Sequence, residues 1–119
     1  MNENIIKQKT TSFAMKIVVF SRNLRNCKVE SVLINQLLKS GTSIGANVEE
    51  ACAGISRNEF SMKLSISYKE AKETLYWLNL LKDTGSISFE DYTSLYKDCD
   101  EILRILWAIL KKTRIDNKK

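Results

Sequence analysis

Residues 40–54, Ser40 to Gly54, read SGTSIGANVEEACAG, and the fold follows from how this stretch continues the pattern before it. Leu33, Leu37, Gly41, Ile44, Val48 and Ala51 step by three and four, the spacing that lines one face of an α-helix. Gln36, Ser40, Ser43, Asn47 and Glu50 form a second stripe, so a polar seam flanks the apolar one over the same turns. Gly41 and Gly45 stand inside this helix, where each costs roughly 1 kcal/mol relative to Ala. Close packing by a neighbour offsets that cost. Ser40, Ser43, Ala46, Ala51 and Ala53 keep the helix thin enough for it.

Outward from this stretch the same periodicity recurs. A first helix is expected from near Asn4 to Asn26, with Ile6, Phe13, Ile17, Phe20 and Leu24 on one face and Thr10 interrupting it. After a turn at Cys27–Lys28, the second covers Val29 to Ala53, with Gly54 in the left-handed position that closes a helix. Ser56-Arg57-Asn58-Glu59 is a capping box that opens the third, which carries Phe60, Leu64, Tyr68, Ala71, Leu75 and Leu78 and ends at Gly85. Ser88-Phe89-Glu90-Asp91 caps the fourth, with Tyr92, Leu95, Tyr96, Cys99, Ile102, Leu103, Leu106 and Leu110 along it. Past about Thr113 the tail is polar and basic and is expected to fray. Four helices on short connections alternate in direction, so the expected fold is all-α: one antiparallel up-and-down four-helix bundle over residues 1–119, a rod roughly 36 Å long.

Composition narrows the chemistry. The chain has no Pro and 4 Gly, which suits continuous helices. No apolar run approaches the roughly 20 residues of a membrane span, and the N-terminus lacks a secretory core, so a cytoplasmic protein with no membrane partner is expected. Cys27, Cys52 and Cys99 are far apart with no CxxC pair, and read as structural thiols. Glu49, Glu50, Glu70 and Glu73 invite comparison with carboxylate-bridged di-metal bundles, but those use Glu-x-x-His pairs and this chain has no histidine. The same lack removes Ser–His and Cys–His arrangements. GTSIGA has neither the spacing nor the preceding strand of a phosphate loop. No catalytic residue, metal or cofactor is expected, and no enzyme activity.

Two features point instead to association. The third helix carries a second stripe, Ile66, Glu70, Glu73, Trp77 and Leu80, and in ILRILWAIL, residues 102–110, only Arg104 is polar. A helix apolar nearly all round is central or covered by another chain, and a four-helix bundle has no central helix. A homo-oligomer is expected, with Trp77, Leu80, Ile105, Trp107 and Ile109 at the interface; the alternative is that Trp77 and Trp107 roof the subunit's own core. The seam residues Asn47 and Glu50 need partners, which Lys63, Ser67, Glu70 and Thr74 on the third helix offer, so Gln36, Ser40, Ser43, Asn47, Glu50, Glu70 and Glu73 form a structural polar seam. The 19 Lys plus Arg exceed the 14 Asp plus Glu, for a net charge of +5. Arg22, Arg25 and Lys28 gather at one end, with Lys111, Lys112 and Arg114 at the other, and both groups are candidates for contact with the phosphates of RNA or DNA. Half of such charges are ordinary partners of helix dipoles.

With SGTSIGANVEEACAG, SRNEFSMKLSISYKEAKETLYWLNLL and EILRILWAIL read, the chain resembles the four-helix bundle protein family, also called 23S rRNA intervening-sequence proteins, over nearly its full length. Ser40, Ser43, Ile44, Asn47 and Glu50 match the family's SxxSIxxNxxE core, and Lys69, Glu70, Glu73 and Trp77 match its KEAxETxYWL version; the first helix matches loosely. The resemblance implies bacterial, cytoplasmic proteins that assemble as ring-shaped homo-oligomers, commonly pentamers, with a related branch that binds nucleic acid through a basic surface. Two functions follow as expectations: a ring that binds RNA or DNA phosphates, or a scaffold or accessory subunit for a protein partner, with its positive charge serving solubility.

Overall fold

The computed structural model describes the backbone of residues 3–117 and the side chains of residues 3–113. Four helices are present: α1 (Glu3–Leu24), α2 (Ser31–Cys52), α3 (Arg57–Asp83) and α4 (Phe89–Asn117). Each contacts the helices before and after it, and α4 closes back on α1, so the four stand at the corners of a square. Contacts between Lys7 and Glu49, Lys63 and Glu50, Lys9 and Glu101 with Lys16 and Asp98, and Asn79 and Tyr92 with Ala71 and Cys99 set all four adjacent pairs antiparallel. The molecule measures 52 × 21 × 21 Å. It is longer than expected because α3 and α4 have 27 and 29 residues, with α4 running to Asn117.

The core is one cluster. Ile6, Phe13 and Ile17 of α1, Leu37, Ile44 and Val48 of α2, Leu64 and Leu78 of α3, and Leu95, Ile102 and Leu106 of α4 are all at most 2% exposed. These are the three- and four-step stripes of each helix turned to a common axis.

Local chemistry sets the ends. Ser56 Oγ accepts the Glu59 backbone N–H at 3.0 Å and opens α3, and Ser88 Oγ does the same for Asp91 at α4. Gly85 has φ +73, and Ser86 N–H to Leu81 O (2.8 Å) with Gly85 N–H to Lys82 O (3.0 Å) completes the six-to-one and five-to-two pair that closes α3. Gly54 corrects the expectation: among the described residues only Gly85 has positive φ, and α2 ends in a right-handed Ala53 (φ −87, ψ −7). What Gly54 supplies is space, since a Cβ there would lie 3.1 Å from Ala51 O and 3.4 Å from Glu59 Cγ.

The glycines of α2 are filled by α1. A Cβ on Gly41 would meet both Cγ atoms of Ile17 at 3.0 Å, and one on Gly45 would meet the Thr10 carbonyl oxygen at 3.3 Å. Thr10 therefore belongs to the packed face it seemed to interrupt in sequence. It is 1% exposed, and its hydroxyl donates to Ile6 O at 2.8 Å.

Candidate functional site

The polar seam divides in two by depth. Ser40, Ser67 and Thr74 are fully buried between α2 and α3. Thr74 Oγ1 donates to Ser40 Oγ at 3.0 Å, which donates onward to Leu37 O at 3.3 Å, with Glu70 O as an alternative acceptor for Thr74 at 2.8 Å. Ser67 Oγ donates across the interface to Ile44 O at 2.8 Å. These hydroxyls make the satisfied interhelical contacts that low-dielectric burial demands. Thr74 and Ser67 were foreseen as partners, but for the wrong residue: Asn47 Nδ2 bonds within its own helix, to Ser43 O at 2.9 Å.

The outer half of the seam lies open. Gln36, Ser43 and Asn47 are half-buried and Glu50 is exposed, ion-paired with Lys63 at 2.8 Å. Facing them from α3 are Glu70, Glu73 and Trp77, with Trp77 Nε1 donating to Glu73 Oε2 at 3.1 Å. Burial, and then the neighbouring Glu73 carboxylate, raise the Glu70 pKa above its ordinary value, while Lys39 pulls it back. Along this flank Met62 and Ile66 are exposed and Trp77 and Leu80 half-buried, and Val32 of α2 is 66% exposed. The α2–α3 face is thus a polar groove edged by apolar side chains.

The five residues expected at an interface do not form one patch. Ile109 is 8% exposed and belongs to the core, so its assignment to an interface is corrected. In ILRILWAIL, Ile102, Leu103, Leu106, Ile109 and Leu110 are all buried within the single bundle, which accounts for most of that segment's apolar character. Ile105 is half-buried against the core. Trp77 and Leu80 flank the α2–α3 groove, whereas Trp107, 42% exposed, sits on the opposite side of α3, its ring 5.8 Å from that of Tyr68.

The cations separate by helix end. Arg22, Arg25 and Lys28 are exposed at the α1–α2 corner, where Arg25 Nη2 donates to Asn35 Oδ1 at 2.6 Å. Lys111 and Lys112 are exposed at the far end, and the side chain of Arg114 lies outside the described residues. The two groups do not meet within one subunit. Lys7, Lys9 and Lys16 are tied to Glu49, Glu101 and Asp98. The cation groups chosen from sequence leave out the exposed Lys69, Lys72 and Lys97; Lys69 and Lys72 share one side of α3, and only the packing of α4 against α3 brings Lys97 to the same side of the molecule.

Two of the thiols are held protonated. Burial, followed by Asp100 and Asp98, pushes the Cys99 pKa up to about 12, and its S–H donates to Ala71 O at 3.4 Å. Cys52 is raised by burial and then by a hydrogen bond with Glu3. No three His, Cys, Asp or Glu side chains among the described residues are grouped to hold a metal ion, and no described helix is long and apolar enough to cross a membrane.

Comparison with known proteins bears on this geometry. The model of a family described as 23S rRNA-intervening sequence protein matches residues 2–108. The chain is also similar to a crystal structure, at 1.70 Å resolution, of a protein with unknown function from the S23 ribosomal protein family of Bacteroides thetaiotaomicron VPI-5482. The two share 46% identity over 93% of this chain and 99% of that one, with a TM-score of 0.90. No curated protein matches the chain.

Proposed function

Because the chain belongs to the 23S rRNA-intervening sequence protein family, we propose that it is a non-enzymatic, cytoplasmic, ring-forming bundle, a homopentamer, that binds RNA or DNA by its phosphates. The observation that carries the assembly is the α2–α3 face. Val32, Met62 and Ile66 stand exposed beside half-buried Trp77 and Leu80, and a flank of this kind is covered when a second copy docks on it. Its groove supplies polar groups, Ser43, Asn47 and Glu70, that set the register of the partner. Repetition around a ring multiplies every exposed Lys and Arg by the number of subunits. That supports phosphate binding by a chain whose own charge is only +5.

Light scattering coupled to size exclusion tests the assembly. Five subunits of 13.7 kDa give roughly 68 kDa, and a monomer at micromolar concentration overturns the proposal. Mobility of short RNA and DNA tests the binding: retardation at low salt that fades steeply as salt rises is expected. Unchanged mobility at low salt refutes the nucleic-acid part and leaves the reading of a scaffold or accessory subunit for a protein partner.

A further inference from the structure

One face of the bundle carries cations and exposed aromatic rings together. On α3, Ser65, Lys69, Lys72 and Tyr76 step by four, three and four, so they form a single stripe. On α4, Phe89, Thr93, Tyr96, Trp107 and Lys111 lie on another, with Lys97 at its edge. The two stripes are neighbours. Tyr92 OH donates to Asn79 Oδ1 at 2.6 Å near one end, and the Tyr68 and Trp107 rings meet at 5.8 Å near the other.

Phe89 is 72% exposed, Tyr76 58% and Trp107 42%. Lys69, Lys72, Lys97 and Lys111 are exposed, and none is in an ion pair among the described residues. Of the acidic groups alongside, Asp100 pairs with Arg104 at 2.9 Å and Asp83 with Lys82 at 3.5 Å, while Glu73, one turn from Lys69, accepts from Trp77 Nε1 at 3.1 Å. The contrast with the α1–α4 side is plain, where Lys9 and Lys16 are neutralised by Glu101 and Asp98.

We infer that the α3–α4 face is a platform for a single strand of RNA, with Phe89, Tyr76 and Trp107 as stacking stations and Lys69, Lys72, Lys97 and Lys111 on its phosphates. This rests on the phosphate-binding reading above and names its surface and ligand. At 1.5 Å per residue, Phe89 and Tyr96 are about 10 Å apart along α4 and Tyr96 and Trp107 about 16 Å, with Tyr76 beside Tyr96. An extended strand therefore brings roughly every second or third base to a ring. A duplex cannot use such stations, because its bases are already stacked on each other, whereas a single strand offers every base's π-face. Ser65 and Thr93 favour ribose. Their hydroxyl protons go to Ser61 O and Phe89 O, which leaves both oxygens as acceptors on this face for a ribose 2′-OH.

The test uses the full-length protein in its native assembly and a labelled, unstructured 12-nucleotide RNA, followed by fluorescence anisotropy across a salt series. Lys69→Glu with Lys72→Glu and Lys97→Glu should weaken binding at least tenfold and flatten the salt slope by about two, while Arg22→Glu with Lys28→Glu should change it less than about threefold. Tryptophan emission should be quenched by the strand, and that quenching should be lost in Trp107→Phe, which keeps Trp77 in place. The same RNA as a duplex should bind more weakly without quenching, and the DNA strand of the same sequence more weakly than RNA. Binding that survives the α3–α4 reversals but is lost on the Arg22 and Lys28 reversals overturns this platform and leaves phosphate binding intact. Duplex bound as tightly as single strand with no quenching also overturns it, and equal affinity for the DNA strand overturns the assignment to RNA. Failure of the unaltered protein to bind any strand removes the phosphate-binding reading itself.

Discussion

Replacing Gly41 with Ala tests whether the middle of α2 is built for contact with α1. Ala gains roughly 1 kcal/mol over Gly inside a helix. Its Cβ would be placed 3.0 Å from both Cγ atoms of Ile17, a β-branched side chain with 0% exposure whose χ1 is stiff in a helix. Forcing an extra methyl into such a core costs about 1–3 kcal/mol. The steric term wins, and Gly41→Ala should lose on the order of 1 kcal/mol net, about 4 °C in melting temperature for a domain of this size. Urea and thermal unfolding at one fixed protein concentration measure it, since self-association shifts the midpoint. Ile17→Ala removes both clashing atoms and alone should cost about 2–5 kcal/mol. In the Gly41→Ala background that cost should fall by 1 kcal/mol or more, because the new methyl occupies part of the vacated space. A stabilised Gly41→Ala, or two effects that simply add, refutes the close approach.

Other expectations follow from single groups. Gly85→Ala should cost about 1 kcal/mol in chemical denaturation, because the penalty of φ +73 for an L side chain acts alone: a Cβ there meets nothing within 4 Å. Glu70→Gln should stabilise the fold by an amount that grows from pH 4 to pH 7 in thermal melts. Since the folded-state pKa is raised by burial and Glu73, the wild type holds its full stability below the ordinary carboxylate pKa and loses some as pH rises through the raised value. Thiol-specific alkylation at pH 8, followed by mass spectrometry, should modify exposed Cys27 quickly and leave Cys99 untouched until the protein unfolds. Thr74→Val should cost about 1 kcal/mol in equilibrium unfolding, and Thr74→Val with Ser40→Ala should cost less than the two singles combined, because each single already removes the bond the two hydroxyls share.

The sequence by itself determined the elements and their inner faces. Three- and four-step stripes located all four helices, Ser56 and Ser88 marked their starts, Gly85 marked an end, and Gly41 and Gly45 announced a close neighbour. All of this depends on spacing along one chain, which the pitch of the helix converts directly into a face. Only the tertiary structure decided what each face meets. Nothing local said that α1 would supply Ile17 and Thr10 to the glycines, that Asn47 would bond within its own helix, or that Gly54 would be needed for room and not for its φ. Ile109 shows the same limit: periodicity reveals an apolar position, but rotation of α4 about its axis decides whether that position looks inward or toward solvent. Tyr68 is brought against Trp107, and Lys72 and Tyr76 toward Tyr96, by the antiparallel register of α3 and α4. That register is set by packing between residues tens of positions apart, so no reading along a single helix contains it.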